Sequence, residues 1–314
     1  MVSGHRKKRP WRTGRCPFCP RQSGIRNQEV FALPNKFPAL TIDAPIVSEK
    51  SPYRKSRAQG VCEVIVESRR HEGDFHNFTL EGVSRYIQLL GQRSVELGSM
   101  PFIRQVMPFK NKGTTIGVSM THPHSQIYAT PFVPPRIRKE ITAARRYEAR
   151  RRQNLFDAIL EREIKDQIRV VYRNQRFVLF VPTFAMWPYE MHVYGSRPVR
   201  GLGELDSEGA LMLADTIRVA TATYERHFGR DYAYMMIFHQ APSRGEVPSY
   251  RLHVEFYCPQ MARGRMKYAA GIEWGAGTFT YDGSPEERAS ELRATAAKAV
   301  KDIKHLGRPE GRSK

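Results

Sequence analysis

The chain has 314 residues and carries 51 Lys and Arg against 31 Asp and Glu, a formal charge of +20. Its 40% hydrophobic content suffices for a packed core, while no apolar run approaches the ~18 residues that cross a bilayer. The basic first residues lack the apolar stretch of a secretory signal, so a cytoplasmic protein with no membrane partner is expected. The charge calls for an anionic partner: nucleotides, sugar phosphates or nucleic acid. The densest basic run comprises Arg136, Arg138, Lys139, Arg145, Arg146, Arg150, Arg151 and Arg152. It has helical spacing and reads as a solvated helix face. Without the aromatic interleaving of single-strand binders, nucleic acid is not expected.

In chain order, a proline-rich basic entry segment carries Cys16-Pro17-Phe18-Cys19. Two cysteines in such a knuckle present thiolates to one metal, and the loop residues Pro20 to Gly24 argue against a redox pair. A strand is predicted at 61–67 and an amphipathic helix at 78–98. Strands follow at 102–109, 114–119 and 124–131, then a charged helix at 137–165. The second half reads as strands at 168–173, 176–182 and 189–194, a helix at 203–228, and strands at 233–239 and 250–257. A strand or two near 267–281 and a helix near 284–304 complete it. Two halves are expected, 1–150 and 151–304, followed by a disordered basic tail at 305–314.

Thr121-His122-Pro123-His124-Ser125-Gln126 lies in one of these predicted strands. Strand alternation points both imidazoles to one face. There the two can share a metal, or one can bind a metal while the other attacks an electrophile. The halves also resemble each other. His71 lines up with Val199 (offset 128), Phe109 with Phe238 (129), and His122-Pro123-His124 with His253-Val254-Glu255 (131).

These residues, taken in order, resemble the galactose-1-phosphate uridylyltransferases of the histidine-triad superfamily. The resemblance covers His5 to Trp11, the Cys16/Cys19 knuckle, His71, Asn111-Lys112-Gly113 and Ser119 through Pro134. It continues through Trp187 to Glu190, Phe238 to Pro242 and Leu252 to Tyr257. It implies an α+β fold of duplicated histidine-triad-like halves that share a mainly antiparallel sheet with helices packed against it. It also implies a homodimer and a ping-pong transfer of a uridylyl group between a nucleotide sugar and a sugar phosphate.

By that resemblance His124 is the nucleophile, Gln126 steadies a phosphate oxygen in the transition state, and Ser119 contacts the leaving sugar phosphate. Asn111 contacts the nucleotide phosphates, Arg6 and Arg9 reach a phosphate from the neighbouring subunit, and Lys267 and Glu273 align with hexose-contacting residues. Cys16, Cys19, His71 and His122 would hold zinc, with His76 as the competitor for His71. Glu140, His239, His253 and Glu255 match a second, structural site for iron or zinc, although Glu255 stands where a histidine is usual. Two further departures bear on substrate. Ser125 replaces a glycine and is shared with adenylyl-transferring relatives and nucleoside-diphosphate-sugar phosphorylases. Ile272 and the Gly275–Phe279 run depart from the tyrosine and glutamine that read the sugar. From another class, a non-catalytic nucleotide or nucleic-acid binder is the alternative.

Overall fold

The structure, a computed structural model, describes residues 16–19, 29–46, 56–118 and 120–305. Of the expected tail at 305–314 only His305 is described, as the last residue of a helix, and the rest, together with Arg6, Arg9 and Ser119, lies outside the described residues. The first half contributes β1 (Phe31–Pro34), β2 (Val61–Val66), α1 (Leu80–Ser99), β3 (Gln105–Lys112) and β4 (His124–Thr130). Next come α2 (Pro135–Arg151) and α3 (Leu155–Asp166), then β5 (Val170–Arg173), β6 (Phe177–Phe180), β7 (Met191–Gly195) and α4 (Ser207–Phe228). The chain continues through β8 (Tyr234–His239), β9 (His253–Tyr257), β10 (Gln260–Ala262), β11 (Arg265–Met266), α5 (Gly271–Ala276) and α6 (Pro285–His305).

Nine strands form one sheet in the order β1-β2-β4-β3-β8-β9-β7-β6-β5, and each neighbouring pair is antiparallel. The halves join where β3 meets β8, with Phe109 opposite Ile237. On one face Ile65, Val106, Ile127, Val193, Phe238, Val254 and Phe256 pack against α1, α4 and α6 in the main core. α1 earns that place through Val83, Tyr86, Ile87 and Leu90, spaced three and four apart on one side. Thr79 caps it by accepting from the Gly82 amide.

The opposite face is unequally covered. Over the second half, Ile137 and Ile141 of α2 and Phe156 and Leu160 of α3 pack on Val178, Phe180 and Tyr194. Over the first half, Ala39, Leu40 and Ala58 of loop segments pack near Cys62 and Tyr128. The part of β4 that carries His124 and Gln126 stays half-buried there.

Several predicted elements change. The charged helix at 137–165 is two helices, because Arg152 takes a left-handed φ of 57° and Asn154 caps a new start by accepting from Phe156 and Asp157. The strand predicted at 114–119 is instead a single tight turn at Thr114–Ile116, framed by Gly113 and Gly117 at positive φ. The strands placed near 267–281 give way to α5, and the hairpin of β10 and β11 lies before it. Removal of the α1 cap by Thr79→Ala should cost about 1 kcal/mol, read as a lower urea midpoint at unchanged slope.

Candidate active site and metal centres

The entry to β4 is fixed from two sides. His122 Nε2 bonds the Ser68 carbonyl at 2.8 Å, and the Glu67 amide donates to the Pro123 carbonyl at 3.2 Å. The strand begins at His124, so alternation does not govern His122. Both imidazoles nevertheless meet the Phe18 ring of the knuckle, at centroid separations of 5.9 Å for His122 and 5.4 Å for His124.

Cys16, Cys19, His71 and His122 bring one ligand atom each within 4.8 Å of one another. Cys19 Sγ lies 3.3 Å from His71 Nδ1 and 3.8 Å from His122 Nδ1. The outer nitrogens are engaged, His71 Nε2 with Thr121 Oγ1 at 3.2 Å and His122 Nε2 with Ser68, which leaves the Nδ1 atoms turned to the thiols. Burial, with His71 adding, lowers His122 and keeps it in the neutral form that a metal needs. Burial and the adjacent Cys16 raise the Cys19 thiol. The donor set therefore fits a closed Cys₂His₂ zinc site. His76 sits elsewhere, buried, with Nε2 2.7 Å from Glu225.

His124 Nδ1 lies 2.8 Å from the carbonyl of His122. A carbonyl only accepts, so the proton is on Nδ1 and the lone pair on Nε2. The ring lines a cavity of about 190 Å³ together with Asn111, Lys112, Thr121, Arg230 and Tyr232. Gln126 follows on the same face of β4, and its Oε1 accepts from Asn35 Nδ2 at 3.4 Å. Lys112 Nζ stands over the Tyr232 ring at 3.4 Å and donates to the Tyr232 carbonyl. Asn35, Lys112 and the Phe18 contact escaped the sequence reading of roles. Lys112 sat beside Asn111 in plain view, whereas nothing local tied Asn35 to Gln126. Ser125, which stands where the family has glycine, points the other way: it is buried in the core face and bonds Tyr86 and Glu67.

The second cluster assembles Glu140 from α2 with His239, His253 and Glu255, again within 4.8 Å. His239 Nδ1 is 3.1 Å from Glu140, Tyr250 donates to Glu140 at 2.6 Å, and Arg136 pairs with Glu255 at 3.0 Å. Burial alone would raise Glu255, yet His239, His192 and Arg136 hold its carboxyl well below the usual range. Two carboxylates and two imidazoles with ligand atoms this close fit a divalent metal.

Register corrects the internal alignment. Val64, Gln126 and Phe109 lie side by side in the first half, and His192, Glu255 and Ile237 lie side by side in the second. The shifts are 128 for β2 (192 − 64) and β3 (237 − 109) and 129 for β4 (255 − 126). His253, rather than Glu255, is thus the counterpart of His124, and Glu255 that of Gln126. His253 Nδ1 even repeats the bond to the carbonyl two residues back, Arg251, at 3.0 Å. The pairing of Phe109 with Phe238 fails because Phe109 faces out from the sheet and Phe238 into the core, and a one-residue slip flips every face.

Lys267 and Glu273 come together as an ion pair at 2.8 Å. Glu273 also accepts from the Ala270 and Thr280 amides and from Thr280 Oγ1. Lys267, then those amides, bring its carboxyl down to about 2. A depressed carboxylate stabilises above its unfolded value and is lost as pH falls through the folded one. The loop around Trp274 should therefore loosen between pH ~4.5 and ~2, seen as a tryptophan emission change that Glu273→Gln abolishes. Cys16→Ser or His122→Ala should lower the metal content and the unfolding midpoint, measured by metal analysis and thermal denaturation.

Comparison with known proteins matches residues 2–134 to the galactose-1-phosphate uridyl transferase N-terminal domain and residues 140–303 to the C-terminal domain. A galactose-1-phosphate uridylyltransferase of Thermotoga maritima is 35% identical over 304 residues, covering 94% of each chain. One from Haemophilus influenzae is 29% identical over 318 residues, covering 94% of this chain and 90% of its own. A solved uridylyltransferase structure superposes with a TM-score of 0.89 at 34% identity, covering 96% of both chains. An ADP-glucose phosphorylase from Arabidopsis thaliana shares the fold, with a TM-score of 0.78 at 22% identity over 93% of both chains. Matched from end to end in both halves, this chain belongs to the galactose-1-phosphate uridylyltransferase family.

Proposed function

We propose that the protein is a UDP-glucose–hexose-1-phosphate uridylyltransferase that works by double displacement through His124. The observation that carries this reading is the Nδ1 bond of His124 to the His122 carbonyl, which directs the nucleophilic nitrogen of a neutral imidazole away from its own strand. In the first step Nε2 attacks the α-phosphorus, the P–N bond forms, the P–O bond to the sugar phosphate breaks, and hexose 1-phosphate leaves. In the second a sugar phosphate oxygen attacks phosphorus, and the P–N bond breaks. Gln126 donates its amide to a non-bridging oxygen as charge develops there. Asn111 and Lys112, on the cavity wall, receive the phosphates. Ser119, Arg6 and Arg9 keep the phosphate-contacting roles that the family pattern gives them.

Zinc at Cys16, Cys19, His71 and His122 would act structurally by holding the entry to β4. A second metal at Glu140, His239, His253 and Glu255 would likewise be structural, because α2 and α3 bury that face. We read the first half as the seat of transfer and the second as its support. Exposed Tyr268, Ile272 and Trp274, clustered within seven residues, supply an apolar surface for a homodimer. A chain with only four cysteines suits the reducing cytoplasm.

The test uses UDP-glucose or ADP-glucose labelled in the α-phosphate, without acceptor. An acid-labile, base-stable adduct on His124 should form from UDP-glucose. No adduct from any donor, with zinc loaded, overturns the covalent mechanism. His124→Gly should keep its fold and lose transfer by about 10³-fold or more.

A further inference from the structure

Beneath the nucleophile strand lies a buried charged network that no step above employs. Glu67 is its hub. Its carboxylate accepts from Ser125 Oγ and Lys110 Nζ, and Lys110 also pairs with Asp74 at 3.0 Å. Tyr86 bonds Ser125 at 2.8 Å, Tyr232 donates to Asp74 at 2.6 Å, and Tyr234 bonds the same carboxylate at 3.0 Å. All of these side chains are buried.

The second half shows what the fold itself demands at these places. With the register shifts of 128 and 129, Asp74, Tyr86, Lys110 and Ser125 correspond to Leu202, Ala214, Phe238 and Val254, all apolar and buried in the core. Glu67 corresponds to Gly195. At these equivalent positions the second half thus packs without a charge. A buried ion network costs desolvation and is weak evidence for stability, so packing does not account for it in the first half. Its geometry does. Glu67 and the next residue make three bonds to the His122–Ser125 segment: amide to the Pro123 carbonyl, Ser68 carbonyl to His122, and carboxylate to Ser125. His124 is the residue enclosed by them.

We propose that Glu67, Ser125, Lys110 and Asp74 form a positioning network that holds the backbone on both sides of His124 and so sets where its imidazole meets the phosphorus. This rests on the transfer reading above. The four residues act through the backbone and touch no substrate.

The experiment follows single-turnover labelling of His124 from α-labelled UDP-glucose in the zinc-loaded full chain. Ser125→Ala should label about 10- to 100-fold more slowly, the scale of an ångström-sized misplacement, with the half-saturating donor concentration, zinc content and unfolding midpoint near wild type. Ser125→Thr, which keeps the hydroxyl, should recover most of the rate. Glu67→Gln, which keeps the shape and removes the charge facing Lys110, should slow labelling likewise, and it decides the matter if Ser125→Ala does not fold. Wild-type rates in both Ser125→Ala and Glu67→Gln overturn the proposal. So does a loss that appears as weaker donor binding or as lost zinc and stability. A wild type that takes no label from any donor overturns the transfer reading, and this proposal with it, before any variant is compared.

Discussion

The hydrogen bond from His124 Nδ1 to the carbonyl two residues back is the constraint on which the site depends. An imidazole that attacks phosphorus must be neutral, with its lone pair on the outward nitrogen. A bond to a carbonyl enforces that tautomer, because the carbonyl cannot donate. The bond requires the residue-122 carbonyl to be held in place. His122 anchored on Ser68 holds it, and so does the knuckle closing over His71 and His122. Pro123, which lacks an amide hydrogen, restricts the backbone between the two histidines while its carbonyl is taken by Glu67.

The same local bond at His253 leads to a different end because of what covers the sheet. In the second half α2 and α3 lie over the outer face and bring Glu140 and Arg136 against Glu255. Gln126, a neutral donor, has Glu255 as its counterpart, an acceptor held ionised by its neighbours. A nucleophile there would meet carboxylates rather than a phosphate. Duplication supplied two equivalent frames, and the coverage of one face separated their chemistry.

Much of this was legible where chemistry is local. Cys16 and Cys19, His122 and His124, and the long apolar periodicity of α1 and α4 each announce themselves within a few residues. The second-half cluster was legible by resemblance as well. What failed depended on faces and distances. The offset of 131 was read from a shared H-x motif, but only strand pairing reveals that outward residues must match outward ones. The helix at 137–165 was broken by Arg152 in a left-handed conformation, which its residue type does not signal.

The net charge of +20 acquires a more particular meaning once partners are counted. Arg136, Arg169 and Arg176 each answer two carboxylates, Lys110 is enclosed between Glu67 and Asp74, and Lys267 is taken by Glu273. These cations hold the fold and have little field left for a ligand. Lys112 differs. Burial, with Lys110 adding, lowers its pKa, and it lines the His124 cavity with Arg230. A cation held in a partly desolvated site, over an aromatic ring, is attracted to an incoming phosphate more strongly than one in open water. Under the proposed transfer, the reach of the protein's charge toward its substrate would pass through Lys112 and Arg230 more than through the basic face of α2, which faces solvent.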